Sequence, residues 1–304
     1  MQQNRDRFSP VPTPPDILDL ARRDVANALA EDVGSGDLTA TLVPAGRRVQ
    51  ARVLAREAAV LCGAPWFEAA VQACEPSATL AWLVPEGGRC EADQVVVEIE
   101  AEARGLLTAE RTALNFLQLL SAVATKTAAH VDAVRGSACA IVDTRKTLPG
   151  LRLAQKYAVR TGGGVNHRIG LYDAVLIKEN HIAAAGSVTA ALQAARAVAS
   201  QASFIEIEVE TLDQLHEALA AGARMVLLDN MPQALLAEAV RINAAAGEGA
   251  AVLEISGGVT LENLHLLAST GVDRISIGGL TKDVKAIDFS MRFQAAPKPA
   301  GGRP

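Results

Sequence analysis

A chain of 304 residues, half of them apolar and 21% charged, can bury one large core or two ordinary ones, which excludes a disordered chain. No apolar run reaches the ~20 residues that span a bilayer, and a net charge of −5 argues against a general surface for nucleic acid or membrane. With aromatics at only 3%, the core must come from Ala, Val, Leu and Ile, a palette that suits parallel β/α layers.

Residues 1–15 are polar and proline-rich, without the hydrophobic stretch of a secretory signal, and are expected to form a disordered terminus on a cytoplasmic protein. Ile17, Leu18, Leu20, Val25 and Leu29 share one helical stripe, predicting a helix over 16–31. Strand-like stretches follow over 49–61 and 94–99, with a helix over 65–74 between them and turns at Pro44-Ala45-Gly46 and Pro85-Glu86-Gly87-Gly88. Cys62, Cys74, Cys90 and Cys139 share no CxxC spacing and lie in apolar surroundings, which fits small core residues in a reducing compartment. A long helix is expected over 105–134.

Beyond it the rhythm changes. Short apolar runs recur over 138–142, 174–177, 204–209, 225–228, 251–255 and 274–277. Helical segments at 189–199, 212–221, 233–243 and 261–269 separate most of them. This alternation predicts βαβ units around a parallel sheet. Six strands fall short of the eight of a closed barrel, so either two strands escape the pattern or something else covers the gap. Alternating Ile287, Phe289, Met291 and Phe293 predict a last strand that returns to the first domain. The expected domains are therefore 16–125 plus 283–296, and 126–282.

Charge singles out residues 145–178. Arg145, Lys146, Arg152, Lys156, Arg160, Arg168 and Lys178 stand against one acid, Asp173, a segment of +6 that suggests a pocket for a small polyanion. A solvated helix face would account for Arg152, Lys156 and Arg160, but not for the rest. In parallel β/α folds, ligands gather at the carboxyl ends of strands. Polar residues fall there in succession: Asp143-Thr144-Arg145-Lys146, Lys178-Glu179-Asn180-His181, the period-two set Glu206, Glu208 and Glu210, Asp229-Asn230, Ser256-Gly257-Gly258 and Gly278-Gly279.

Arg145, Arg168 and Lys178 suit carboxylates, because a guanidinium fork matches carboxylate geometry. Ser256-Gly257-Gly258, leading into a helix with Thr260 as its cap, and Gly278-Gly279 suit a phosphate held by backbone amides. Glu208 and Asp229 suit Mg²⁺ held through water, or ribose hydroxyls; the alternative makes them partners of Lys178 or Lys146. His167 and His181 flank the pocket loops, whereas His130, His216 and His265 read as helix-surface positions, and no pair has zinc-ligand spacing.

The stretch Asp143-Thr-Arg-Lys-Thr-Leu-Pro-Gly-Leu-Arg152, continuing through Gln155-Lys-Tyr-Ala-Val159 and Gly162-Gly-Gly-Val-Asn-His-Arg168 to Ile177-Lys-Glu-Asn-His181, resembles the quinolinate phosphoribosyltransferase family of type II phosphoribosyltransferases. Glu31-Asp-Val-Gly-Ser-Gly-Asp-Leu-Thr39, Glu110-Arg-Thr-Ala-Leu-Asn-Phe116, Leu228-Asp-Asn230, Glu254-Ile-Ser-Gly-Gly258 and Ser276-Ile-Gly-Gly279 extend the likeness over nearly the whole chain. The resemblance implies an α/β protein with an N-terminal α/β sandwich and an incomplete, open β/α barrel of six to seven strands. It implies a homodimer in which the partner's sandwich lies over the barrel mouth.

It further implies transfer of phosphoribosyl from phosphoribosyl pyrophosphate (PRPP) to quinolinate, with decarboxylation to nicotinate mononucleotide. By resemblance, Arg145, Arg168, Lys178, His167 and Thr144 meet quinolinate, joined by Arg111 from the other subunit. Lys146 and Lys178 meet the pyrophosphate, Glu208 and Asp229 the ribose and Mg²⁺, and Ser256, Gly257, Gly258, Gly278 and Gly279 the 5′-phosphate. Three rivals stay open: a Schiff-base aldolase using Lys178, a related phosphoribosyltransferase with another substrate, and a nucleotide-binding sensor without turnover.

Overall fold

The computed structural model describes residues 17–200 and 202–294, so the expected disordered terminus over 1–15 and the end of the 283–296 segment lie outside the described residues. The described residues divide into two compact units, one of 17–125 with 284–294, the other of 126–283.

In the N-terminal unit, α1 (Ile17–Val33) buries Leu20, Ala21 and Val25. The stretch expected as one strand over 49–61 is two, β1 (Arg48–Ala55) and β2 (Ala59–Val60). Helix α2 (Ala64–Cys74) buries Trp66, Phe67, Ala70 and Val71. Its Trp66 Nε1 donates to Asp24 on α1 at 2.9 Å, giving the buried indole N–H a partner. Strands β3 (Thr79–Trp82), β4 (Arg89–Cys90) and β5 (Val95–Glu102) follow; β5 pairs antiparallel with β1 and β3, and β2 with β4. Helix α3 (Ala103–Ala133) begins in this unit and ends in the next.

The second unit alternates strand and helix: β6 (Ala140–Val142), α4 (Arg152–Thr161), β7 (Val175–Ile177), α5 (Glu179–Ala185), α6 (Val188–Val198), β8 (Ile205–Val209), α7 (Leu212–Ala220), β9 (Met225–Asp229), α8 (Gln233–Ala245), β10 (Val252–Ser256), α9 (Leu264–Ala268), β11 (Arg274–Ser276) and α10 (Gly279–Lys282). The six strands form one parallel sheet in the order β6-β11-β10-β9-β8-β7. Its two edges, β6 and β7, are consecutive in the chain, so the barrel is open between its first and second strands.

A single residue marks that opening. Val165 bridges Val142 in parallel, donating to the Ile141 carbonyl at 2.8 Å and accepting from the Asp143 amide at 3.1 Å. It forms an isolated bridge outside the six strands. The approach needs Gly164: a Cβ there would sit 2.8 Å from Thr127 Cγ2 and from Val159 Cγ1. Steric necessity therefore explains one glycine of the Gly162-Gly163-Gly164 run.

Finally β12 (Phe289–Phe293) pairs antiparallel with β1 in the N-terminal unit, giving that sheet the order β12-β1-β5-β3. Among the described residues, no helix is long and apolar enough to cross a membrane.

Candidate active site at the strand ends

At the end of β6, the Thr144 hydroxyl accepts the Lys146 amide at 3.0 Å, and Thr281 Oγ1 donates to the Lys146 carbonyl at 2.8 Å. A Cβ on Gly278 would lie 2.8 Å from Lys146 Cδ and 3.5 Å from Thr144 Oγ1. The missing side chain at the end of β11 thus makes room for Lys146, and brings Thr144, Lys146 and Gly278 together.

Burial, and then the charge of Arg145, hold the Arg168 guanidinium below its ordinary range, which puts the two cations within electrostatic reach. A buried brace keeps the Arg168 segment there. Lys156, only 2% exposed, forms an ion pair with the fully buried Asp143 and donates to the His167 carbonyl at 3.0 Å. Asp143 also accepts from Asn166 Nδ2 at 2.6 Å and from the His167 amide at 2.8 Å. Beyond Arg168, the Asp173 carboxylate accepts the Ile169 and Gly170 amides, each at 2.8 Å.

Lys156 therefore does not belong to a solvated face. Helix α4 buries Ala154, Gln155, Lys156, Ala158 and Val159, leaving Arg160 exposed. Arg152 is half-buried and donates to Thr147 at 3.1 Å and to the Ile169 carbonyl at 3.2 Å.

On the other side of the opening, Lys178 follows Ile177, which is level with Ile207. Its Nζ donates to Glu208 Oε2 at 2.9 Å. Asp229 is the register partner of Ser256. Burial pushes the Glu208 carboxyl up; Lys178 opposes this, while Asp229 and Glu179 reinforce it. Glu208 and Asp229 thus feel each other's charge. His181 accepts the Lys178 amide at 3.0 Å, closing the first turn of α5 rather than facing a ligand.

In the loop after β10, Gly257 leaves no room for a side chain. Gly257 and Gly258 take φ of +92° and +60°, values that favour glycine. A Cβ on Gly257 would collide with the Asn230 amide oxygen, and Asn230 itself has φ +52° and donates its amide to Ser256 at 3.0 Å. A cleft of about 350 Å³ opens here, lined by Gly257, Gly258, Asn230, Gln233 and Asn263.

The helix expected over 261–269, capped by Thr260, is shorter and starts at Leu264. Asn263 accepts the Thr260 amide at 2.9 Å and donates to the Gly258 carbonyl at 2.8 Å, so a turn fills the interval. An anion at Gly257 and Gly258 would meet loop amides, not a helix end. Gly279 opens a helix of only four residues.

His167 departs from expectation. It was to meet substrate, yet its ring is buried with both nitrogens engaged: Nε2 lies 2.7 Å from Glu206 Oε2, and Nδ1 accepts the Arg168 amide at 2.8 Å. Glu254 Oε1 stands 3.7 Å from Nε2, and Arg274 pairs with Glu254 at 3.0 Å. Because β9 separates β8 from β10, one ring can reach Glu206 and Glu254 only across the inside of the barrel. Burial favours a neutral ring, and Glu254 and Glu206 raise its proton affinity to a net upward shift. A second proton would have to displace the Arg168 amide from Nδ1.

Glu206 and Glu208 share a face of β8, the first deep in the barrel and the second near its mouth; Glu210 lies exposed beyond the strand. His130, read as a helix-surface position, is buried, and its Nδ1 pairs with the Lys126 carbonyl at 2.8 Å. Arg111 is exposed on the part of α3 that belongs to the N-terminal unit. Asp143 and Asn230 stand among the strand-end residues read from the sequence, but the buried roles of Asp143, Lys156, Asn166 and Glu254 were not foreseen.

Fold and rim define an open parallel β/α barrel whose carboxyl edge is built for anionic ligands. Residues 123–292 match the model of the quinolinate phosphoribosyl transferase C-terminal domain, and residues 37–121 that of its N-terminal domain. The chain belongs to the quinolinate phosphoribosyl transferase family. It is 44% identical to a carboxylating nicotinate-nucleotide pyrophosphorylase of Mycobacterium leprae, over 90% of this chain and 97% of that protein. It is 37% identical to a decarboxylating quinolinate phosphoribosyltransferase of Nicotiana tabacum, over 88% and 80% of the two chains. The solved nicotinate-nucleotide pyrophosphorylase of Francisella tularensis superposes with a TM-score of 0.87 at 41% identity, covering 92% of this chain and 98% of that one.

Proposed function

We infer that this chain transfers the phosphoribosyl group of PRPP to quinolinate, releasing pyrophosphate and carbon dioxide and leaving nicotinate mononucleotide. The reading is supported by two cationic groups at strand ends: Arg145 within electrostatic reach of Arg168, and Lys178 paired with Glu208, whose carboxylate also feels Asp229. Two guanidiniums within electrostatic reach of each other suit a ligand with two adjacent carboxylates. Arg145 Nε is buried with no hydrogen-bond partner among the described residues, a donor that a carboxylate would satisfy.

In the reaction, the pyridine nitrogen attacks the anomeric carbon as the bond to pyrophosphate breaks, and pyrophosphate leaves with the electron pair. The ring nitrogen becomes cationic and stabilises the electron pair left on the neighbouring ring carbon when carbon dioxide departs. A solvent proton then fills that position. The residues supply position and charge: Arg145 and Arg168 orient quinolinate, Lys146 and Lys178 face the pyrophosphate, and Gly257, Gly258, Gly278 and Gly279 approach the 5′-phosphate. A Schiff-base role for Lys178 is disfavoured because its Nζ is engaged by Glu208 Oε2 at 2.9 Å rather than standing in an apolar pocket.

Glu208 and Asp229 fit Mg²⁺, since a divalent ion would relieve the repulsion between two neighbouring carboxylates with oxygen ligands it prefers. When bound, the ion would supply positive charge to the leaving pyrophosphate. Four free thiols support a cytoplasmic location.

Incubation with quinolinate, PRPP and Mg²⁺ should give nicotinate mononucleotide by mass spectrometry, and nicotinate in place of quinolinate should give little. Absence of product from quinolinate would end this reading. The working form is a homodimer with Arg111 completing the partner's site, a reading supported by the exposed guanidinium and the family resemblance. Inactive Arg111→Ala and Lys178→Ala subunits, mixed, should regain activity, because one site of each heterodimer is then intact. No recovery in verified heterodimers would refute sharing.

A further inference from the structure

The barrel interior holds charge that the transfer reaction does not use. Glu206 and Glu254 are fully buried, His167 and Arg274 nearly so, where apolar residues would pack at far lower desolvation cost. The hydrogen-bond order within this group is determined. The Arg168 amide can only donate, so His167 Nδ1 must accept it. The ring hydrogen therefore sits on Nε2 and goes to Glu206 Oε2 at 2.7 Å. Arg274 pairs with Glu254 at 3.0 Å, and Glu254 closes the far side of the same ring at 3.7 Å.

We propose that Glu206 is a positioning residue: by fixing His167 in the Nε2–H tautomer, it lets Nδ1 hold the Arg168 backbone, and so sets the guanidinium that receives quinolinate. This rests on the transfer reaction inferred above. Without Glu206 no acceptor within hydrogen-bond reach holds the hydrogen on Nε2, because Glu254 stands at 3.7 Å. In the other tautomer two N–H groups face each other, and Arg168 is pushed off its place. The effect should fall on quinolinate alone, because Lys146, Gly257, Gly258 and Gly279 lie outside this chain of contacts.

Glu206→Leu and Glu206→Gln would be compared in steady-state kinetics. For Glu206→Leu the quinolinate KM should rise roughly tenfold to a hundredfold, the range expected for a lost charge-assisted bond, while the PRPP KM stays within about twofold. Glu206→Gln should remain within about threefold of the parent enzyme, because its amide oxygen still accepts Nε2–H. Equal shifts in both KM values, a loss confined to kcat, or a Gln variant as impaired as the Leu variant would overturn the proposal.

If Glu206→Leu does not fold, ¹⁵N-imidazole NMR of the parent enzyme decides, with His167 assigned by comparison with His167→Gln. Protonated Nε2 and bare Nδ1 support the proposal; the opposite or an averaged pattern refutes it. A parent enzyme that makes no product from quinolinate would sink the reaction assignment and leave the NMR result to be judged separately.

Discussion

Lys156→Ala is expected to destabilise the barrel unit by about 3–5 kcal/mol, the usual cost of leaving one member of a buried ion pair alone. Asp143 would stay fully buried, keeping only its bonds from Asn166 and the His167 amide. Burial pushes the Asp143 carboxyl up and the Lys156 ammonium down, and each charge opposes the other's shift. Urea unfolding should therefore show a lowered midpoint, and Asp143→Asn added to Lys156→Ala should recover part of the loss, because the orphaned charge disappears. A single-variant effect under about 1 kcal/mol would mean that the pair is solvated rather than buried.

Lys178→Ala is expected to lower kcat by roughly 10²–10³, the scale seen when one preorganised donor to a developing anion is removed. Its Nζ is already oriented by Glu208 at 2.9 Å, so little reorganisation is needed as charge builds on the leaving group. Lys178→Arg should restore only part of the rate, because a planar fork does not replace a compact ammonium. Single-turnover measurement of pyrophosphate release would separate this from slow product release. A loss smaller than tenfold would remove Lys178 from the machinery.

The parallel unit was legible because its strands are short apolar runs that each end in polar residues; all six runs became β6 to β11. The N-terminal unit was harder. Strands β3 and β4 are four and two residues long and half exposed, too short for periodicity to register. At the site, Arg145, Lys146, Lys178, Glu208 and Asp229 stood out because a strand end forces its polar residues to the rim.

The interior network was invisible for the same reason. A carboxylate at Glu206 follows the same period-two pattern as Glu208, and only depth in the barrel separates them. Lys156 misled because a lysine on an amphipathic helix normally faces water. Its partner Asp143 is thirteen positions away, at the end of the apolar run 138–142, where it reads as one more residue of the rim.

A fully closed barrel would commit residues 162–170 to ladder hydrogen bonds. Here Val165 alone bridges to a strand, while the amides of His167, Arg168, Ile169 and Gly170 answer to Asp143, His167 and Asp173. That stretch of pocket wall is shaped by side chains rather than by sheet geometry. The backbone that carries Arg168 is thereby released from the fixed step of a strand, and its course depends on the carboxylates of Asp143 and Asp173.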